Sequence, residues 1–130
     1  TKRLRTLGMR SFSEYRKLLE DTNSNEFPEF INALTTNLTA FFREPYHFEH
    51  LTQTALPEVM AARERRGKAR RLRIWSAGCS TGQEPYTILM AIREGLPQAR
   101  SWELRVIATD LDTQALARAR RGEYPQETVK

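Results

Sequence analysis

From Leu72 to Gly122 the chain alternates strand and helix signals in an order that few folds accept. Leu72, Ile74 and Trp75 predict a short buried strand, and Gly78 to Gly82 is a turn of small residues. Pro85 to Ile92 carries Ile88, Leu89 and Ile92 on one helical face, and Gly95 and Pro97 end it. Leu104, Val106, Ile107 and Ala108 predict a second strand. Asp110 and Asp112 follow, with Asp112 placed to cap a helix that runs to Arg121 and closes at Gly122. Strand, glycine turn, helix, strand, acid, helix is therefore the opening of a doubly wound α/β domain. Two strands alone leave open edges and bury little surface. The expectation is a fragment, with later strands beyond Lys130.

Before Gly67 the rhythm is helical. Ser11 and Glu14 form a capping-box pattern around a stripe of Phe12, Tyr15, Leu18 and Leu19. Phe27, Phe30, Ile31 and Leu34 repeat at helical spacing, and Thr35 to Thr39 predicts a turn. Pro45 suits the first turn of a helix through Leu51, and Pro57 predicts the start of another through about Arg65. The expected organisation is a helical domain over residues 1–66, a basic linker over 67–71 and the start of an α/β domain over 72–130.

Charge and composition narrow the partners. The balance of 21 Lys+Arg against 16 Asp+Glu favours acidic surfaces. The N-terminal cluster Lys2, Arg3, Arg5 and Arg10 reads by composition as a solvated helix face. The run from Arg63 to Arg73 reads as a solvated linker, because no aromatic residues interleave with it to stack on bases; nucleic acid is not expected. No apolar stretch reaches the roughly 20 residues that span a bilayer, so membrane insertion is not expected. The single Cys79 excludes an internal disulfide framework, and the expected location is the cytoplasm. His47 and His50 stand three apart without a third ligand, so no metal centre is expected.

Three stretches carry chemistry. Ser76-Ala77-Gly78-Cys79-Ser80-Thr81-Gly82-Gln83-Glu84-Pro85-Tyr86 joins a strand to a helix. It lacks GxGxxG, and Gln83 follows Gly82 where a phosphate loop needs Lys. Glu84 in the first helical turn repels a pyrophosphate and suits a ligand with an ammonium or sulfonium group. A plain turn with a dipole-favoured Glu is the competing reading. Asp110 leaves the second strand where doubly wound folds place an acid on ribose hydroxyls, and a turn or capping Asp is its alternative role. Asn37-Leu38-Thr39-Ala40-Phe41-Phe42-Arg43-Glu44 combines short hydrogen-bonding side chains with a guanidinium suited to carboxylate. By composition alone, a turn followed by a pair of core Phe residues is the better reading.

These three stretches, with Leu34-Thr35-Thr36 before the first and Ala108-Thr109-Asp110-Leu111-Asp112-Thr113 around the last, resemble the CheR-type chemotaxis receptor glutamate O-methyltransferases. The resemblance runs from Arg3 to Tyr124. It implies a small all-helical N-terminal domain followed by the first β-α-β-α part of a Rossmann-like S-adenosylmethionine-dependent methyltransferase domain. It implies transfer of methyl from S-adenosylmethionine to receptor glutamates, leaving S-adenosylhomocysteine, with glutamate-rich cytoplasmic receptor helices as partners. Only this resemblance makes the cluster Lys2, Arg3, Arg5 and Arg10 a candidate docking face. Residue by residue, Asn37, Thr39 and Arg43 match the family's N-x-T-x-x-x-R cofactor positions, Glu84 the acid after the glycine turn and Asp110 the ribose acid. Arg43 is also the candidate catalytic residue, orienting a carboxylate. Gln83 departs from the pattern, since many members carry a second acid there. The family's later cofactor contacts, its active-site Tyr and a receptor-docking β-subdomain would lie beyond Lys130, and the piece alone is expected to be inactive. The alternative is a non-enzymatic basic helical module that binds an acidic protein or nucleic acid.

Overall fold

The computed structural model describes residues 2–129. Three short helices come first: α1 (Lys2–Thr6), α2 (Phe12–Glu20) and α3 (Glu26–Leu34). Ser11 caps α2, its Oγ accepting from Glu14 N at 3.2 Å, and the Glu14 carboxylate reaches back to the N–H of Arg10. The three helices are tied by one nearly dry ion pair. Arg3 grips Glu26 with two donors, at 2.8 and 2.7 Å, and Tyr15 Oη donates to the same carboxylate at 2.8 Å. Glu26 is 6% exposed, so its charge persists only because three donors replace water. The guanidinium hydrogen bonds hold its carboxyl below the usual range, against the opposing effect of burial. Arg3 is therefore a structural residue, and the basic docking face expected at the N-terminus reduces to the exposed Lys2, Arg5 and Arg10.

An extended segment over residues 35–40 leads to a long helical passage. It comprises α4 (Pro45–His50), a π-helical turn (Leu51–Ala55) and α5 (Leu56–Arg65). Pro57 predicts a helix start, and α5 does begin at Leu56 with the proline in its first turn, directly after the π-helical turn. Proline lacks an N–H and crowds the preceding turn. The wide turn absorbs this, with Leu56 N–H bonding five residues back to Leu51 O.

β1 (Arg71–Ala77) pairs in parallel with β2 (Glu103–Thr109), from Arg71 opposite Glu103 to Ala77 opposite Thr109. The crossover is α6 (Gln83–Gly95), and α7 (Thr113–Arg121) follows β2. Asp112 caps α7 and Gly122 ends it at φ +63°, as the sequence predicts. The core joins Leu72 of β1 with Ile88 and Ile92 of α6, Leu96, Trp102, and Leu56 and Met60 of α5. Burying each such side chain contributes about 1.5–3 kcal/mol. Residues 45–65 thus pack on the α/β core, whereas their helical rhythm groups them with the N-terminal helices.

Trp75 departs from the buried strand expected. Successive strand residues face opposite ways, so Leu72, Ile74 and Ser76 share the α6 side while Trp75 points outward. Trp75 is 69% exposed and its indole N–H donates to Thr109 Oγ1 at 3.0 Å.

Candidate functional site

Both strands deliver their carboxyl ends to one edge, and the glycine turn folds over it. Cys79 N–H donates to Thr109 O at 2.8 Å, which stitches the turn to the end of β2. Asp110 then bridges the two exits. Its Oδ2 accepts from Ser80 N at 2.7 Å and its Oδ1 from Asp112 N at 2.8 Å. Each oxygen keeps a second lone pair, and the side chain is half-buried, so it can still accept from a ligand.

Glu84 stands on the first turn of α6, exposed, with Oε1 accepting from Ser76 Oγ at 2.6 Å. The buried serine points the carboxylate toward the strand ends. Asn37 arrives from the extended segment. Its Nδ2 donates to Asp112 Oδ2 at 2.7 Å, and its Oδ1 accepts from Ser80 Oγ at 3.0 Å. Asn37 and Asp110 are therefore two arms of one network joined through Ser80 and Asp112. Thr39 lies half-buried in the same segment.

Arg43 stands apart from that network among the described residues. Its Nη1 donates to Leu38 O at 2.6 Å, and the side chain is exposed. Phe42 and Glu44 on either side hold φ at +51° and +58°. Left-handed backbone at such residues costs about 1–3 kcal/mol each. Thr87, wholly buried, steadies the loop by accepting from Phe42 N at 3.2 Å. Ser80 in the glycine turn is also left-handed, at φ +51°. Strain thus clusters in the two loops that meet at this edge.

Two glycines shape the turn. A side chain at Gly82 would strike Tyr124 Oη at 2.5 Å and Ala119 Cβ at 2.9 Å, because the segment after α7 folds back over the turn. Tyr124 Oη donates to Thr81 O at 2.6 Å there. Gly78, at φ +72°, has nothing within 4 Å of where a Cβ would stand. Its backbone is open to close approach by a ligand.

Cys79 is 1% exposed, and burial, then the Asp110 charge, push its thiol up. It is a small turn residue rather than a nucleophile. Asp112 is held low, first by the hydrogen bond from Ala115 N, then by those from Asn37, Thr35 and Gln114 N, against its burial. A cavity of about 480 Å³ between α6, β2 and α7 reaches Asp110, Thr109 and Cys79. A larger apolar hollow, about 820 Å³, is lined by Phe41, Trp102 and Tyr124 and holds none of the site acids.

Ser76, Ser80, Thr87, Tyr124 and the second role of Asp112 escape sequence reasoning. Each acts on a partner at least eight residues away, and no local pattern marks such a pair. Only the density of small polar residues in the turn hints at them.

The donor set fits S-adenosylmethionine. Gly78 leaves open space beside the backbone, Asp110 offers acceptors for hydroxyls and Glu84 offers a charge for an ammonium group. The same acids would repel a phosphate.

Residues 1–35 match the family model for the CheR methyltransferase all-alpha domain, and residues 37–130 match that for the CheR methyltransferase SAM binding domain. The chain is 46% identical to a chemotaxis protein methyltransferase of Escherichia coli K12 over 99% of its own length and 42% of that relative's. It is 44% identical to chemotaxis protein methyltransferase 2 of Pseudomonas aeruginosa, covering all of this chain and 43% of that one. A chemotaxis protein methyltransferase of Borreliella burgdorferi is 38% identical over 97% of this chain and 45% of its own. The chain spans less than half the length of these relatives.

Proposed function

The chain belongs to the CheR methyltransferase family, and from that premise we propose that the whole protein transfers methyl from S-adenosylmethionine to glutamate side chains of chemotaxis receptors. The observation that carries the reading is the placement of two carboxylates, Asp110 and Glu84, around an open glycine turn at the carboxyl ends of parallel strands. In open α/β sheets that crevice is where ligands bind.

When bound, the cofactor supplies an electrophilic methyl group on a sulfonium. The residues of this chain bind and orient. Asp110 accepts from the ribose hydroxyls, and Glu84 receives the ammonium of the methionine moiety. Asn37, joined to Asp110 through Ser80 and Asp112, and Thr39, two residues on in the extended segment, complete the cofactor set in this reading. Arg43, held on Leu38 O, keeps donors free to orient a carboxylate. No residue need act as a general base, because a substrate glutamate, with an ordinary pKa near 4.3, is ionised at neutral pH. What the site contributes is positioning and exclusion of water, which can together lower a barrier by several kcal/mol.

The partner in this reading is a glutamate-rich helical surface in the cytoplasm, met by the basic N-terminal helices. The alternative of a non-enzymatic basic module has no observation in its favour. The test is made on the full-length protein. Asp110→Ala should weaken binding of S-adenosylhomocysteine by about 1–3 kcal/mol, the cost of losing a charged hydrogen-bond partner. Unchanged affinity in calorimetry would remove Asp110 from the site.

A further inference from the structure

Asp112 holds two of the residues assigned to the cofactor and belongs to neither role itself. Its backbone N–H binds Asp110 Oδ1 at 2.8 Å, and its carboxylate binds Asn37 Nδ2 at 2.7 Å. The side chain is 5% exposed and divides its two oxygens between two tasks. Oδ1 caps α7, accepting from Gln114 N at 2.9 Å and Ala115 N at 3.0 Å. Oδ2 faces the other way, toward Asn37 and Thr35 Oγ1, the latter at 2.9 Å.

A carboxylate accepts and cannot donate, whereas an amide has one end of each kind. The charge on Asp112 therefore dictates which way the Asn37 amide turns: nitrogen toward α7, oxygen toward Ser80. A hydroxyl such as Ser80 Oγ both donates and accepts, so Ser80 alone would tolerate either orientation. We propose that Asp112 is a positioning residue that fixes the Asn37 amide in one orientation and so sets the hydrogen-bonding pattern presented to the cofactor. The proposal rests on the reading of Asn37 as a cofactor residue.

The arrangement also ties the site to the N-terminal helices. Asn32, on the last turns of α3, exchanges two hydrogen bonds with Thr113, next to Asp112, at 3.1 and 3.2 Å. Asn32, Thr35 and Asn37 thus meet the start of α7 over six residues of chain. The orientation of Asn37 is set where the helical segment docks.

Two variants separate the cap from the clasp in the full-length protein. In Asp112→Asn the single side-chain oxygen serves the two cap amides, and an NH2 group meets Asn37 Nδ2. Asn37 must then turn over, placing its oxygen toward residue 112 and its nitrogen toward Ser80. In Asp112→Ser a good capping hydroxyl remains but is too short to hold Asn37. The first readout is the side-chain NH2 resonance of Asn37, identified by its loss in Asn37→Ser. It should shift in both Asp112 variants. The second is titration with S-adenosylhomocysteine, where affinity should fall about tenfold, the scale of one charged hydrogen bond, while the melting temperature stays within a few degrees. An Asn37 resonance unmoved by Asp112→Asn overturns the inference. So does unchanged affinity in both Asp112 variants when Asp110→Ala weakens binding. If Asp110→Ala and both Asp112 variants all bind normally, the cofactor reading itself is what fails. Unfolding of both Asp112 variants counts against the inference too, because it makes the residue a stability element only.

Discussion

Gly82→Ala tests whether the glycine turn is shaped by its packing or only by its flexibility. Gly82 sits at φ +100°, where an added Cβ would lie 2.5 Å from Tyr124 Oη and 2.9 Å from Ala119 Cβ. The left-handed backbone costs an Ala about 1–2 kcal/mol. Displacing Tyr124 costs the 2.6 Å hydrogen bond to Thr81 O, about 0.5–1.5 kcal/mol. Ala119 belongs to α7 and cannot swing away as a flexible side chain can, so the turn itself must move. The expected loss is about 2–4 kcal/mol, several degrees in melting temperature. The informative comparison is a double-mutant cycle with Tyr124→Phe, which removes the clashing oxygen. Tyr124→Phe alone should cost about 1 kcal/mol. Combined, the two should cost less than the sum of the single changes, because the same hydrogen bond is lost only once and the nearest clash is gone. The residual cost reports φ and Ala119. Strict additivity in chemical denaturation, or a Gly82→Ala protein as stable as the wild type, would refute the packing argument.

Three other outcomes follow from the same geometry. The Glu26 carboxyl is held below its ordinary value, so it contributes stability that is present above about pH 4.3 and lost as pH falls through the lower folded-state value. Glu26→Gln should therefore flatten the acid limb of melting temperature against pH; an unchanged limb would mean the pair does not govern acid sensitivity. Arg43→Ala should cut receptor methylation strongly with little change in melting temperature, since the side chain is exposed and holds only Leu38 O; wild-type turnover would end its catalytic assignment. Replacing Lys2, Arg5 and Arg10 by Ala should slow methylation and weaken its salt dependence while leaving product affinity alone. Arg3 is kept in that experiment, because removing it would strip the buried Glu26 of its two closest cationic donors.

Periodicity in the chain is local information, and it determined the elements. The switch at Gly67 from helical stripes to strand, glycine turn and helix follows from side-chain spacing that a short window contains. The caps at Ser11 and Asp112 and the stop at Gly122 were legible for the same reason: each acts within three or four residues. Position after a strand brought forward Glu84 and Asp110, while Asn37 came forward only through the resemblance to the methyltransferase family. What the elements do to one another was not legible. Alternation in β1 reveals that Trp75 and Ile74 face opposite ways, but only the position of α6 decides which face is inside. Arg3 reads as one more basic residue until α1 and α3 meet and its guanidinium closes on Glu26, 23 residues away. Asp112 reads as a helix cap, and the cap is there. Its second oxygen became a clamp on Asn37, 75 residues earlier, because folding brought the extended segment across the start of α7. A hydrogen bond is decided by distance in space, and chain spacing reports that distance only within an element.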